Sequence, residues 1–209
     1  MVEYLNDHSE GRYSFTLKHL PRKRLDKLLN AGRNVVVPWV SPNWFGDPNR
    51  SRYGWTKPIM HDGNVFISPE SQPVDVETVY SLNDMLIGGI LGYRYRDLDE
   101  QVNFGFLKRT NAMNERALFR LVSNGRVDVG IMAQSSAQFL MREFGIENQV
   151  YIGEQKHSIY TRRFLINGHM PRLTEYLNKI LVEMEQDPEW IASMRKYNIS
   201  PSSPCLRSG

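Results

Sequence analysis

The chain carries one cysteine in 209 residues, Cys205, set in a Ser/Pro-rich tail. An intrachain disulfide is therefore excluded, and so is a credible cysteine nucleophile. Long apolar runs are missing too. None approaches the roughly 20 residues that a helix needs to span a bilayer. Charge of one sign is scarce: the formal net charge is +3, and the only basic block is Arg22-Lys23-Arg24. A solvated helix face accounts for that triplet, so no nucleic-acid partner is expected. The five histidines, His8, His19, His61, His157 and His169, are scattered without metal-ligand spacing. There is no Walker sequence and no G-x-S-x-G elbow, and the acid pair Glu183/Glu185 fits a solvated helix face. These absences predict no metal, no cofactor and no enzyme. Met1-Val2-Glu3-Tyr4 opens directly into an amphipathic pattern, without the form of a signal peptide.

At 41% hydrophobic and 23% charged, the composition is that of a globular protein, long enough for one large domain or two small ones. The most informative stretch is Leu86-Ile87-Gly88-Gly89-Ile90-Leu91-Gly92-Tyr93-Arg94-Tyr95. It reads as a buried strand that stops at Gly92 and turns into a helix. Backbone N–H groups at such a helix start suit an anion, and ligands gather at the carboxyl edge of strands in open α/β sheets.

Periodicity and Gly/Pro punctuation place the other elements. Helices are expected over Met1 to Asp7, from Pro21 to a stop at Gly32, over Asn114 to Ser123, over Ser136 to Phe144, and over Pro171 to Glu185 and Pro188 to Tyr197. Strands are expected at Tyr13 to Leu17, Val35 to Val37, Val65 to Ser68, Phe106 to Lys108, Val127 to Met132, Val150 to Ile152 and Phe164 to Ile166. Asn43 to Pro58 reads as a long irregular loop, and Pro69 to Pro73 as a linker. The run from Leu28 through Gly32 to Val37 is echoed by Leu121 through Gly125 to Ile131, about 90 residues later. In each, a helix meets a glycine stop and a buried strand. That repetition suggests two α/β lobes of like design.

In order and spacing these segments resemble the type II periplasmic solute-binding proteins, in the family that binds polar amino acids for ABC transporters. Arg24 to Gly32 resembles the helix before the first-lobe strand. Asn49 to Pro58 resembles the segment where an arginine precedes an aromatic–hydroxyl pair and a proline. Leu86 to Tyr95 resembles the second-lobe strand and its turn. Gly125-Arg126-Val127-Asp128 resembles a recurrent Gly-Arg-Xaa-Asp step, and Asp187 to Tyr197 the closing helix.

The resemblance implies an α/β, two-lobed fold, each lobe a sheet flanked by helices. Residues 1–69 and 157–209 would form one lobe and 70–156 the other. Crossings near Ser68–Pro73 and Gln155–Thr161 would form the hinge. It also implies a periplasmic monomer that captures a small anionic or amino-acid-like solute for a membrane permease. A sensory or regulatory module of the same fold, from a membrane sensor kinase or cell-wall enzyme, is the competing reading, and a small-molecule enzyme the third.

Two departures stand out. The family's opening strand and its ligand-facing loop would precede Met1. Five positions after Asp128, where the family places an acid to hold the ligand ammonium, the chain has Ala133.

Candidate ligand-binding residues follow from position and chemistry. Arg50 and Arg52 offer planar two-donor forks for a carboxylate, with Arg50 in the better register. Trp39, Ser41 and Trp44 lie at a strand's carboxyl end, where aromatic faces stack on or cover a solute. Trp55 in the same region is read as core. Gly92, Tyr93 and Arg94 would start the second-lobe helix, and Asn111 and Gln134 are neutral hydrogen-bonders at strand ends.

Overall fold

A computed structural model describes residues 1–168 and 170–196. Cys205, His169 and the expected helix end at Tyr197 lie outside the described residues. The chain divides into two compact units, one containing Met1–His61 and Thr161–Lys196, the other Asp62–Tyr160.

The first unit holds α1 (Val2–Asp7), α2 (Arg22–Asn30), β1 (Val36–Val40) and β2 (Gly54–Trp55). The second holds most of β3 (Met60–Pro69), then β4 (Leu86–Ile90), α3 (Arg96–Asn103), β5 (Lys108–Ala112), α4 (Glu115–Ser123), β6 (Val129–Ala133) and α5 (Gln134–Phe144). The long strand β7 (Val150–Ile166) returns to the first unit, which α6 (Pro171–Gln186) and α7 (Pro188–Lys196) complete.

In the first unit β1 and β2 each pair antiparallel with the end of β7. Strand alternation splits the core there. Phe164 and Ile166 face Leu5 and the α6 stripe of Leu173, Leu177, Ile180, Leu181 and Met184. Leu165 faces the other way, onto Leu29 and Phe45.

In the second unit the strand order is β7, β3, β6, β4, β5, with β4 parallel to both β5 and β6 and β3 antiparallel to β6. Both faces of this sheet are buried, which explains its near-continuous apolar strands. Val65, Ile67 and Met132 pack with α4 and α5 on one side, while Phe66, Ile87, Val129 and Ile131 pack with Leu98 on the other. Glycines let α4 lie close. A Cβ on Gly88 would sit 2.5 Å from Leu118 Cδ1, and one on Gly130 would sit 2.7 Å from Val122 Cγ2.

The sequence echo is a pair of matching helix ends. Gly32 and Gly125 adopt φ of +66° and +61°. The following N–H groups, of Arg33 and Arg126, donate back to Leu28 and Leu121 at 3.1 and 2.8 Å. This is the Schellman arrangement, and glycine enters it without a Cβ clash.

Several expectations are corrected. Tyr13 to Leu17 belongs to no strand. The Asn6 side chain takes the place of a neighbouring strand: its Nδ2 donates to Phe15 O at 3.0 Å and its Oδ1 accepts from Phe15 N at 2.7 Å. The strand placed at Phe106 begins at Lys108 instead. Val150 to Ile152 and Phe164 to Ile166 are the two ends of one 17-residue strand. Proline and serine at Pro69 to Pro73 mark the turn after β3.

Candidate functional site

In the first unit, the carboxyl end of β1 is distorted. Val36 and Val37 pair with Ile166 and Leu165, but Val40 pairs with Arg163, so β1 carries one extra residue. Pro38 has no N–H to give to the ladder, and the bulge falls there. Trp39 takes φ +63°, a left-handed conformation that L side chains rarely adopt. Its ring stacks on Trp190 of α7 at 6.3 Å and 12°. Arg162 joins this region: Nη1 donates to Trp39 O at 3.0 Å, and the guanidinium covers the Trp44 ring at 5.2 Å. Ser41 is buried at the start of a short 3-10 turn, Pro42–Phe45. The structure thus gathers Trp39, Ser41 and Trp44 and adds Arg162.

The loop that follows is ordered around a buried carboxylate, Asp47, which is 3% exposed. The two candidate arginines of this loop differ. Arg52 Nη2 donates to Asn30 Oδ1 at 2.8 Å, and its guanidinium lies over Tyr53 at 5.0 Å. Arg50 sits at φ +56°, its N–H bonded to Asp47 O at 2.9 Å, with an exposed side chain that has no hydrogen-bond partner among the described residues. Trp55 packs with the Leu29 and Phe45 cluster, as expected of a core residue.

In the second unit, β4, β5 and β6 run parallel and end at one edge, each followed by a helix. Gly92, Tyr93, Arg94, Asn111 and Gln134 are all placed at that edge. Tyr93 and Arg94 do not start the helix, however. Tyr95 is the N-cap and α3 begins at Arg96. The helix start carries its own acids, Asp97 and Asp99, and the Tyr95 N–H donates to Asp99 Oδ2 at 3.0 Å. The positive end of α3 is therefore already offset by carboxylates. Tyr95 itself is buried, and burial raises its phenol pKa well above the ordinary value.

Strand β3 enters at this same edge, since Asn64 pairs with Ala133. Asp62 therefore stands opposite the start of α5. It is 6% exposed and accepts from Gly63 N at 2.8 Å, Ser135 N at 3.4 Å and Ser135 Oγ at 2.7 Å. A second acid is tied in from β7: His157 Nε2 meets Asp97 Oδ1 and Oδ2 at 2.8 and 3.0 Å, and the ring stands edge-on to Phe66. Asp47, Asp62, Arg109, His157 and Arg162 were not singled out from sequence. The one signal was polarity inside the apolar strand that begins at Met60, where Asp62 interrupts the pattern.

No protein-family model matches the chain, and no curated protein matches its sequence. Solved structures do match. An ancestral arginine-binding protein bound to arginine superposes with a TM-score of 0.71 at 16% identity, over 93% of this chain and 84% of that one. The chain has the fold of the type II periplasmic binding proteins. Two further examples of that fold show its range. The substrate-binding protein of an amino acid ABC transporter matches with a TM-score of 0.67 at 15% identity, over 93% and 84% of the two chains. A histidine kinase sensor domain similar to periplasmic binding proteins matches at 0.70 and 14%, over 93% and 82%. Among the described residues, no helix of this periplasmic-binding-protein fold is long and apolar enough to cross a membrane. No group of three His, Cys, Asp or Glu among them is arranged to hold a metal ion.

Proposed function

We propose that the chain is a periplasmic solute-binding protein that captures a small amino-acid-like solute for an ABC-type permease. It would act as a monomer and release its solute unchanged. The observation that carries this reading is Asp62. Ala133 lacks the acid that the resemblance assigns to an ammonium, and an ammonium taken from water without a counter-charge is strongly unfavourable. The pairing of Asn64 with Ala133 brings a different, buried carboxylate to the same edge of the second unit. In this reading Asp62 meets the ammonium. Gly92, Tyr93, Asn111 and Gln134 line that edge, and within the first unit Arg50 is the candidate fork for a carboxylate. The structural neighbours named for arginine and for an amino acid transporter support an amino acid as the class.

A thermal-shift screen tests it, using the L-amino acids beside matched carboxylates without the amine. A ligand at about 100 times its dissociation constant contributes about 2.7 kcal/mol. At least one amino acid should raise Tm, its des-amino counterpart should not, and Asp62→Asn should abolish the shift. If no amino acid stabilises the protein, or if the des-amino compounds do so equally, the reading fails.

The sensor-domain neighbour supports a second reading, a ligand-sensing module of a longer polypeptide. It predicts the same binding and differs in the gene, which would continue past Gly209 into a signalling domain.

A further inference from the structure

The β4–α3 turn has little packing of its own. Leu91, Gly92, Tyr93 and Arg94 are all exposed, and a Cβ on Gly92 would meet nothing within 4 Å. Its backbone bonds to the strands through Leu91 N, which donates to Ala112 O at 2.9 Å, and closes through Tyr93 N, which donates to Ile90 O at 3.0 Å; Arg109 on the neighbouring strand β5 braces it from beneath. Arg109 Nη2 donates to Ile90 O and to Tyr93 O, both at 3.1 Å, on either side of the turn. Nη1 forms a close ion pair with Asp99, whose other oxygen accepts the Tyr95 N–H at 3.0 Å. The guanidinium also lies 5.0 Å from the centre of the Tyr95 ring. One side chain thus joins both ends of the turn and the first turn of α3.

Glycine makes this possible. A Cβ on Gly89 would stand 2.7 Å from Arg109 Nε, 2.8 Å from Nη2 and 3.0 Å from Cζ, so the guanidinium occupies the space a side chain would fill. Lysine could not replace it, because a single ammonium lacks the planar fork that reaches two carbonyls and a carboxylate together. The Arg109 side chain is 12% exposed. A cation buried to that degree and bonded to the backbone of an exposed turn acts on the turn's shape.

We propose that Arg109 is the positioning residue of the Gly92–Arg94 turn, with Gly89 as the gap that admits it. This rests on the reading that the turn lies against the solute.

Hydrogen–deuterium exchange on the unliganded protein tests the positioning directly. Arg109→Met and Gly89→Ala should each speed exchange of the amides from Gly92 to Tyr95 by about tenfold or more, an opening change of roughly 1.4 kcal/mol. Amides of β6 and α4 should keep their protection. The double variant should be no faster than either single one, because both remove the same contact. Unchanged turn amides, acceleration spread over the whole second unit, or additive effects would each overturn the proposal. Calorimetry with L-arginine, L-glutamine and L-glutamate supplies the second arm. Whichever of these the parent binds should bind the Arg109→Met variant at least tenfold more weakly; equal affinity with a loosened turn would overturn the functional role. A parent that binds none of the three bears on the proposed function alone, and the exchange result still decides the positioning.

Discussion

The Trp55 indole donates from Nε1 to Oδ2 of Asp47 at 2.8 Å, closing a loop of eight residues onto a buried charge. The same oxygen accepts from Tyr53 N at 3.1 Å, and Oδ1 accepts from Ser51 N and Arg52 N at 2.7 and 3.1 Å. Burial by itself raises the Asp47 pKa. The hydrogen bonds from Trp55 and from the Arg52, Ser51 and Tyr53 amides outweigh it and hold the carboxyl below the ordinary carboxylate value.

Asp47→Ala should therefore destabilise the protein by about 3 kcal/mol, a fall in Tm on the order of 10 °C, by leaving buried donors unmet. The pH dependence has a definite sign. A folded pKa below the unfolded one, near 3.9, gives a contribution that is complete above the unfolded value and is lost as pH falls through the folded pKa. Thermal unfolding followed from pH 7 to about pH 2.5 should show a shallower acid decline in Asp47→Asn than in the parent. Identical slopes would show that Asp47 titrates alike in both states.

The loop arginines should separate in their effects. Arg52→Ala removes an exposed bond to Asn30 and should lower stability by no more than about 1 kcal/mol, with little change in affinity. Arg50→Ala should leave Tm without ligand unchanged. It should weaken the amino acid that gives the largest thermal shift by roughly ten- to a hundredfold, the loss of a charge-assisted bond. Titration calorimetry on both variants checks this, and equal losses would move the carboxylate site away from Arg50.

Two glycines of the same strand and turn should fail for opposite reasons. Gly88→Ala forces a Cβ to within 2.5 Å of Leu118 Cδ1 and 3.2 Å of Val127 Cγ2. Overpacking of that kind costs about 1–3 kcal/mol. Gly92 has open space around it but φ of +85°. Gly92→Ala should cost about 1 kcal/mol through backbone strain, and Gly92→Asn less, since asparagine tolerates positive φ. Denaturant titrations of the three variants would expose any departure, most clearly an asparagine variant no better than the alanine one.

What the sequence made legible was local. The apolar run at Leu86, the stripe of Leu118 and Val122, and the stops at Gly125 and Gly145 each declare an element within a dozen residues. Alternation at Tyr13 to Leu17 misled because Asn6, not a strand, satisfies Phe15. The middle of β7, Glu154-Gln155-Lys156-His157-Ser158, is too polar to read as strand, yet pairing with β3 carries the strand through it. The site was harder for the same reason. Asp62 finds Ser135 across 73 residues, and Arg109 finds Asp99 and the β4–α3 turn only once β4 and β5 lie side by side. Register alone favours Arg50 over Arg52, but that Asn30, on another element, engages the Arg52 fork shows only in the fold.

The stacking of Trp39 on Trp190 has an optical consequence. The chain has four tryptophans, and Trp39, Trp44, Trp55 and Trp190 all belong to the first unit. Indole emission and the near-ultraviolet signal of the stacked pair therefore report on one half of the molecule. The half carrying Asp62, Gly92 and Arg109 has tyrosines but no tryptophan, so it adds nothing to indole emission. An unfolding curve followed by tryptophan fluorescence is a curve for the first unit, and its agreement with backbone circular dichroism measures how tightly the two halves unfold as one.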